Sequence, residues 1–171
     1  MDDLKAYIRE VPDFPKPGIL FYDITTLLSD RDGFRQVVEG LSRPYESQRV
    51  DVVVGIESRG FILGGAVADR LGAGFSPVRK PGKLPSRTVR ESYALEYGTD
   101  ALEIHDDAVR RGDRVLIVDD VIATGGTAQA TAALVRRLGG NIVGLAFLVE
   151  LVGLNGRARL DGENIYTVLQ Y

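Results

Sequence analysis

The chain has 171 residues, 44% hydrophobic and 26% charged, with a formal net charge of −3. That composition supports one domain, 1–171, with a real core, and it lacks the basic excess of a nucleic-acid-binding surface. There is no cysteine, so disulfides and thiolate metal sites are excluded and a reducing cytoplasm is the natural setting. No run approaches the ~18 apolar residues of a membrane span, and the acidic start MDDLKAYIREV lacks the apolar stretch of a signal peptide.

Asp2 to Val11 carries Leu4, Ile8 and Val11 at helical spacing, which predicts a short amphipathic helix. DFPKPG then breaks regularity, because each proline fixes φ and removes a donor. ILFYDIT, Ile19 to Thr25, reads as extended. Ser29 or Asp30 can cap a helix with Phe34, Val37, Val38 and Leu41 on one stripe, which Pro44 should end or bend. Val50 to Ile56 is a β-branched run suited to a strand covered on both faces. GFILGGAVADRLG is helical up to Gly72, and GFSPV, Gly74 to Val78, is a short strand. The polar stretch from Arg79 to about Ile104 contains Pro81 and Pro85; within it, residues 86–98 read as a lid loop. VLIV, Val115 to Val118, is a strand, Thr127 to Leu138 a helix stopped by Gly139 and Gly140, and NIVGLAFLVE and IYTVLQY are closing strands.

Alternating strands and helices, with strands of buried type, predict an α/β fold around a mainly parallel central sheet flanked by helices. Ligands of such sheets sit beyond the carboxyl ends of the strands. The loops after Ile56, Val78 and Val118 are therefore the places to look.

After Val118 come Asp119 and Asp120, then Ala123, Thr124, Gly125, Gly126 and Thr127. A small-residue turn at a helix start offers backbone N–H groups, hydroxyls and a positive dipole end to an anion. No lysine follows the glycines, so this is not a nucleotide-triphosphate loop of the Walker type. The acids can accept hydrogen bonds from vicinal hydroxyls or hold hydrated Mg²⁺ through water. A ribose 5-phosphate satisfies both halves. The plainer alternative is an ordinary strand–turn–helix with two solvated acids. After Ile56, Glu57, Ser58 and Arg59 open a helix at Gly60, a good second anion site because the arginine fork binds two oxygens at once. After Val78, the cations Arg79, Lys80 and Lys83 cluster in an acidic chain. A solvated charge run is the plainer account of them.

The stretch VLIVDDVIATGGT resembles the phosphoribosyl pyrophosphate signature of the type I phosphoribosyltransferases. DFPKPGILFYDIT, ESRGF, VRKPGKLP, SYALEYG and LEIH resemble, in that order, the adenine-specific branch of that family, from about Val11 to the C-terminus. The resemblance implies the type I phosphoribosyltransferase fold with a flexible hood, and formation of AMP and pyrophosphate from adenine and phosphoribosyl pyrophosphate. It implies Mg²⁺ held mainly by the substrate diphosphate and water, with no direct protein ligand, and a homodimer. Pyrophosphate would meet Glu57, Ser58, Arg59, Arg79, Lys80 and Lys83, with a cis peptide at Glu57–Ser58. The 5-phosphate would meet residues 123–127 and the ribose Asp119 and Asp120. Glu96 would exchange a proton with the purine imidazole ring, and Tyr97 would pack over the site. Adenine would lie against Leu20, Phe21 and Tyr22, in a base-pocket segment of about 11–28. The family commonly has Arg where this chain has Tyr22. The lone His105 is assigned no catalysis. Rival readings are a transferase for hypoxanthine or xanthine, a ligand-sensing regulator on the same fold, and a receiver-like domain using its acid pair for phosphorylation. The regulator would need a DNA-binding element the chain does not display, and a phosphoacceptor would not need a second phosphate nest beside it.

Overall fold

A computed structural model describes residues 2–94 and 98–171. Five strands form the central sheet: β3 (Val52–Ile56), β4 (Gly74–Val78), β7 (Arg114–Ile122), β8 (Asn141–Glu150) and β9 (Ile165–Gln170), in the order β4-β3-β7-β8-β9 and all parallel. Because β7 is central, both of its faces are covered. Leu116 and Val118 enter one core with helices α2 (Arg31–Ser42) and α3 (Arg59–Leu71). Val115 and Ile117 enter the other with helix α4 (Gly126–Arg137). A two-residue period in an apolar strand produces that split.

Local signals account for most boundaries. Asp30 caps α2, its carboxylate accepting from the backbone N–H groups of Asp32 at 3.0 Å and Gly33 at 2.7 Å. The helix stops at Ser42, and Pro44 sits in a single 3₁₀ turn, Arg43–Tyr45. Gly72 ends α3 in the left-handed conformation, φ 66°. Among the described residues no helix is long and apolar enough to cross a membrane.

Three expectations are corrected. The helix expected over Asp2–Val11 is a 3₁₀ helix at Asp2–Tyr7 followed by a strand, β1 (Arg9–Pro12). Leu4 and Ile8 are buried as expected, but Val11 pairs with Phe21 of β2 (Leu20–Asp23), because the base-pocket strand needs a partner for its backbone. A further short helix, α1 (Thr25–Ser29), follows, too short to leave a periodic pattern. The segment expected as a lid loop is largely an antiparallel hairpin, β5 (Thr88–Ala94) on β6 (Thr99–His105). Tyr93, Leu102 and Ile104 turn inward from it, while its other face is mixed, with Arg90 and Glu103 side by side. Glu96 and Tyr97 lie outside the described residues. Finally, β7 does not stop at Val118. It runs on to Ile122, so Asp119 and Asp120, expected at the strand's tip, lie within the strand, with Asp119 opposite Phe147 of β8.

Candidate active site

The carboxyl ends of β3, β4 and β7 converge on a cavity of about 230 Å³. Residues 123–127 form one wall, and Glu57, Arg59, Lys80, Asp119 and Asp120 stand around it. Gly125 precedes α4 at φ 81°, a left-handed conformation that turns the loop back over the helix start. The helix N–H groups thus face the same space as the hydroxyls of Thr124 and Thr127.

Asp119 and Asp120 are only 8% and 7% exposed. Burial, reinforced by the adjacent charge of Asp120, pushes the Asp119 carboxyl well above the usual carboxylate range, against the weaker pull of the Asp120 N–H and of Arg59. That N–H donates to Asp119 Oδ1 at 2.9 Å. Asp120 is instead paired with Arg59, whose Nε donates to its Oδ2. Arg59 reaches it from the first turn of α3, so the helix start and the acid strand close on each other across the cavity floor.

Glu57 follows β3 and opposes this pattern. Burial works against its ionised form, yet the hydrogen bond from Lys83, the Lys80 backbone N–H at 3.0 Å and the charges of Lys83 and Arg79 outweigh it. Its carboxyl is held below the usual range. Arg79 Nε donates to it at 3.3 Å, and the Arg79 backbone bridges to Glu103. The Glu57–Ser58 peptide is cis. Of the cations expected to meet pyrophosphate, Arg59 and Lys80 line the cavity, whereas Arg79 and Lys83 stand behind it on Glu57. Ser58 is the residue before α3 and does not line the cavity. Lys80 is itself bound by Asp100 and by Tyr93 Oη at 3.3 Å, and Thr127 Oγ1 donates to the same Tyr93 oxygen at 3.4 Å. Burial would lower the Lys80 pKa, but these partners raise it.

A second, more apolar cavity of about 140 Å³ adjoins the first. Ile19, Leu20, Phe21 and Tyr22 form its outer side, and Val149 and Leu151, from the end of β8, its inner side. Arg59, Asp120, Val121 and Ala123 line both cavities. The Tyr22 ring also stacks on Tyr171, centroids 4.0 Å apart, so it helps pin the β1–β2 hairpin to the C-terminus.

Asp100 and Tyr93, partners of Lys80, were not singled out in the sequence, nor were Val149 and Leu151. Asp100 carries no local signal. Val149 and Leu151 could have been found by noting that β8 neighbours the acid strand and must end beside it.

Comparison with known proteins agrees with this geometry. Residues 26–169 match the family model for the phosphoribosyl transferase domain. The adenine phosphoribosyltransferase of Solibacter usitatus is 61% identical over 171 residues, covering 100% of this chain and 99% of that one. The crystal structure of adenine phosphoribosyltransferase from Rhodothermus marinus superposes with a TM-score of 0.95 at 60% identity, over 99% of this chain and 97% of that chain. The Saccharomyces cerevisiae adenine phosphoribosyltransferase, solved with an imino-altritol bisphosphate and adenine, gives 0.93 at 40% identity, over 98% and 97%. With its parallel sheet, acid strand and small-residue loop in one frame, the chain belongs to the adenine phosphoribosyltransferases, within the phosphoribosyl transferase domain family.

Proposed function

We propose that the two joined cavities hold phosphoribosyl pyrophosphate and adenine side by side, and that the chain forms AMP and pyrophosphate from them. The observation that carries this reading is the shared wall of Arg59, Asp120, Val121 and Ala123. A phosphate in the 123–127 turn puts the ribose over Asp119 and Asp120, and its anomeric carbon then faces the apolar cavity. That cavity suits a flat base, with backbone groups of Leu20 to Tyr22 as donors and acceptors for its edge. The adenine complex of the yeast relative supports the assignment of the base.

In the reaction the N9 lone pair of adenine forms a bond to C1′ while the C1′–O bond breaks, its electron pair leaving with pyrophosphate. The proton displaced from the imidazole ring goes to Glu96 in this reading. Arg59 and Lys80 meet the departing charge, with Arg79 and Lys83 in reserve on Glu57. Asp120 accepts from the ribose hydroxyls and favours positive character on the ring. The chain's main task is to align two reactants and keep water from the ribosyl centre.

The donor chemistry suits Mg²⁺ only with help from the ligand. Among the described residues no group of three His, Asp or Glu side chains stands together to hold a metal, and Asp120 is engaged by Arg59. Diphosphate and ribose oxygens would supply most ligands, with Asp119 and Asp120 holding the ion through water. So bound, Mg²⁺ would neutralise charge on the leaving diphosphate. The reading includes a homodimer in the cytoplasm, without nucleic acid or membrane. Ile62, 51% exposed, and Phe75, 40% exposed on edge strand β4, offer apolar surface for a second copy.

A panel of adenine, hypoxanthine, guanine and xanthine, each mixed with the chain, phosphoribosyl pyrophosphate and Mg²⁺, tests the reading. AMP should form and the other nucleotides should not. Equal turnover of hypoxanthine would assign the base pocket differently.

A further inference from the structure

Behind the phosphate turn lies an ion pair that lines neither of the two site cavities. Arg157 donates through Nε and Nη2 to the two carboxylate oxygens of Glu150, at 2.7 and 2.8 Å. The same carboxylate accepts from Thr167 Oγ1 and Gln170 Nε2, each at 3.0 Å, and Arg157 Nη1 donates to the Ile165 carbonyl at 3.1 Å. Every anchor of Arg157 is therefore on β8 or β9. Glu150 lies in register with Ile122, the last residue of the acid strand.

One residue before Arg157, the backbone of Gly156 is pressed against the phosphate turn. A Cβ on Gly156 would lie 2.3 Å from the Ala123 carbonyl oxygen, and a Cβ on Gly125 would lie 2.3 Å from the Gly156 carbonyl oxygen. Neither position has room for any side chain. Gln129 of α4 adds a hydrogen bond to the Arg159 carbonyl at 3.1 Å. The turn that must fit a phosphate on its front thus has the 155–159 segment fixed against its back.

We propose that Glu150 and Arg157 are positioning residues for the phosphate site: their fork locks the Gly156 backbone against Ala123 and Gly125 and so sets the curvature of residues 123–127. A half-exposed ion pair is a poor source of stability, but a bidentate fork with four further hydrogen bonds, the fourth from Arg157 Nη2 to Thr167 Oγ1 at 3.3 Å, defines position closely. This inference rests on the reading of 123–127 as the 5-phosphate site.

The test uses the full chain and the variants Arg157→Lys, Glu150→Gln and Thr127→Val, the last as a direct probe of the turn. AMP affinity is measured by calorimetric titration, and initial rates are measured against phosphoribosyl pyrophosphate and adenine separately. Arg157→Lys keeps the charge and loses the fork. It and Glu150→Gln should raise the AMP Kd and the KM for phosphoribosyl pyrophosphate by about ten-fold or more, leaving the KM for adenine within about two-fold. If Arg157→Lys does not fold, Thr167→Val, which removes one hydrogen bond from Glu150, carries the test with a smaller shift in the same direction. Folded variants with unchanged AMP affinity, or with both KM values raised alike, overturn the proposal. Should Thr127→Val also leave AMP affinity unchanged, the phosphate assignment itself falls; should it weaken AMP while Arg157→Lys does not, only the positioning role falls.

Discussion

Asp119 and Glu57 are both carboxylates at the ligand end of one parallel sheet, and the fold treats them oppositely. Asp119 is buried beside a second acid with little compensation, and its carboxyl is pushed well above the ordinary range. Glu57 collects Lys83, Arg79 and a backbone N–H, and is held below it. The difference teaches how one edge can serve two ends of a diphosphorylated sugar. In the proposed reading, the ribose end meets a carboxyl whose ionised form burial disfavours, and the diphosphate end meets cations held on Glu57.

The strongest way to break this contrast is at the acid pair. Asp120→Asn removes the partner of Arg59 and, in the proposed reading, an acceptor for the ribose, and should lower turnover by about 100- to 1,000-fold with the fold intact, as read from steady-state rates and circular dichroism. Asp119→Asn should cost less, on the order of ten-fold, because the amide has the shape of a protonated carboxyl. Equal losses would mean that Asp119 works as a carboxylate.

A pH series sharpens the same point. Because folding raises the Asp119 pKa, the folded chain binds more protons than the unfolded one above the ordinary carboxyl value of 3.8. Its contribution to stability is present below that value and is lost as pH rises through the folded pKa. The melting temperature of Asp119→Asn relative to the parent should therefore rise as pH is raised from about 4 toward 8. Glu57 has the opposite sign: its contribution is present above the ordinary value of 4.5 and disappears as pH falls through the folded pKa. Glu57→Gln should accordingly close its stability gap with the parent in acid.

Glu57→Gln also frees Lys83 and Arg79. Since such partly exposed pairs are each worth about 0.2–1 kcal/mol, pyrophosphate should inhibit this variant more strongly, by up to about five-fold. The smallest effect is expected far from the site. Asp30→Ala removes the cap of α2 and should cost about 1 kcal/mol, a fall of about 2–4 °C in Tm, without changing KM for either substrate.

Much of the frame was legible because burial leaves a pattern. Continuous apolar runs marked β3, β7 and β8, and Gly72, Asp30 and Pro44 marked helix ends. The three loops chosen from the carboxyl-end rule do converge on one cavity. What escaped notice had weak local signals. The β5–β6 hairpin turns Tyr93 and Leu102 inward, but Glu91 on that face and Arg90 and Glu103 on the other masked its alternation with charge. Strand β1 forms because β2 needs a partner, a tertiary demand that helical spacing of Leu4, Ile8 and Val11 does not express. The acids were read at the tip of β7, but its continuation to Ile122 was hidden because two carboxylates interrupt the apolar run that marks a buried strand. Asp100 meets Lys80 only through the hairpin's fold, and the Glu150–Arg157 fork needs β8, β9 and the intervening turn in place together.

The resting place of a bound product tests the site most directly. A crystal of the chain grown with AMP should place its phosphate among the N–H groups of residues 124–127, its ribose hydroxyls at Asp119 and Asp120, and its adenine in the cavity beside Leu20 to Tyr22. AMP bound with its phosphate elsewhere and the 123–127 turn left to solvent would contradict it.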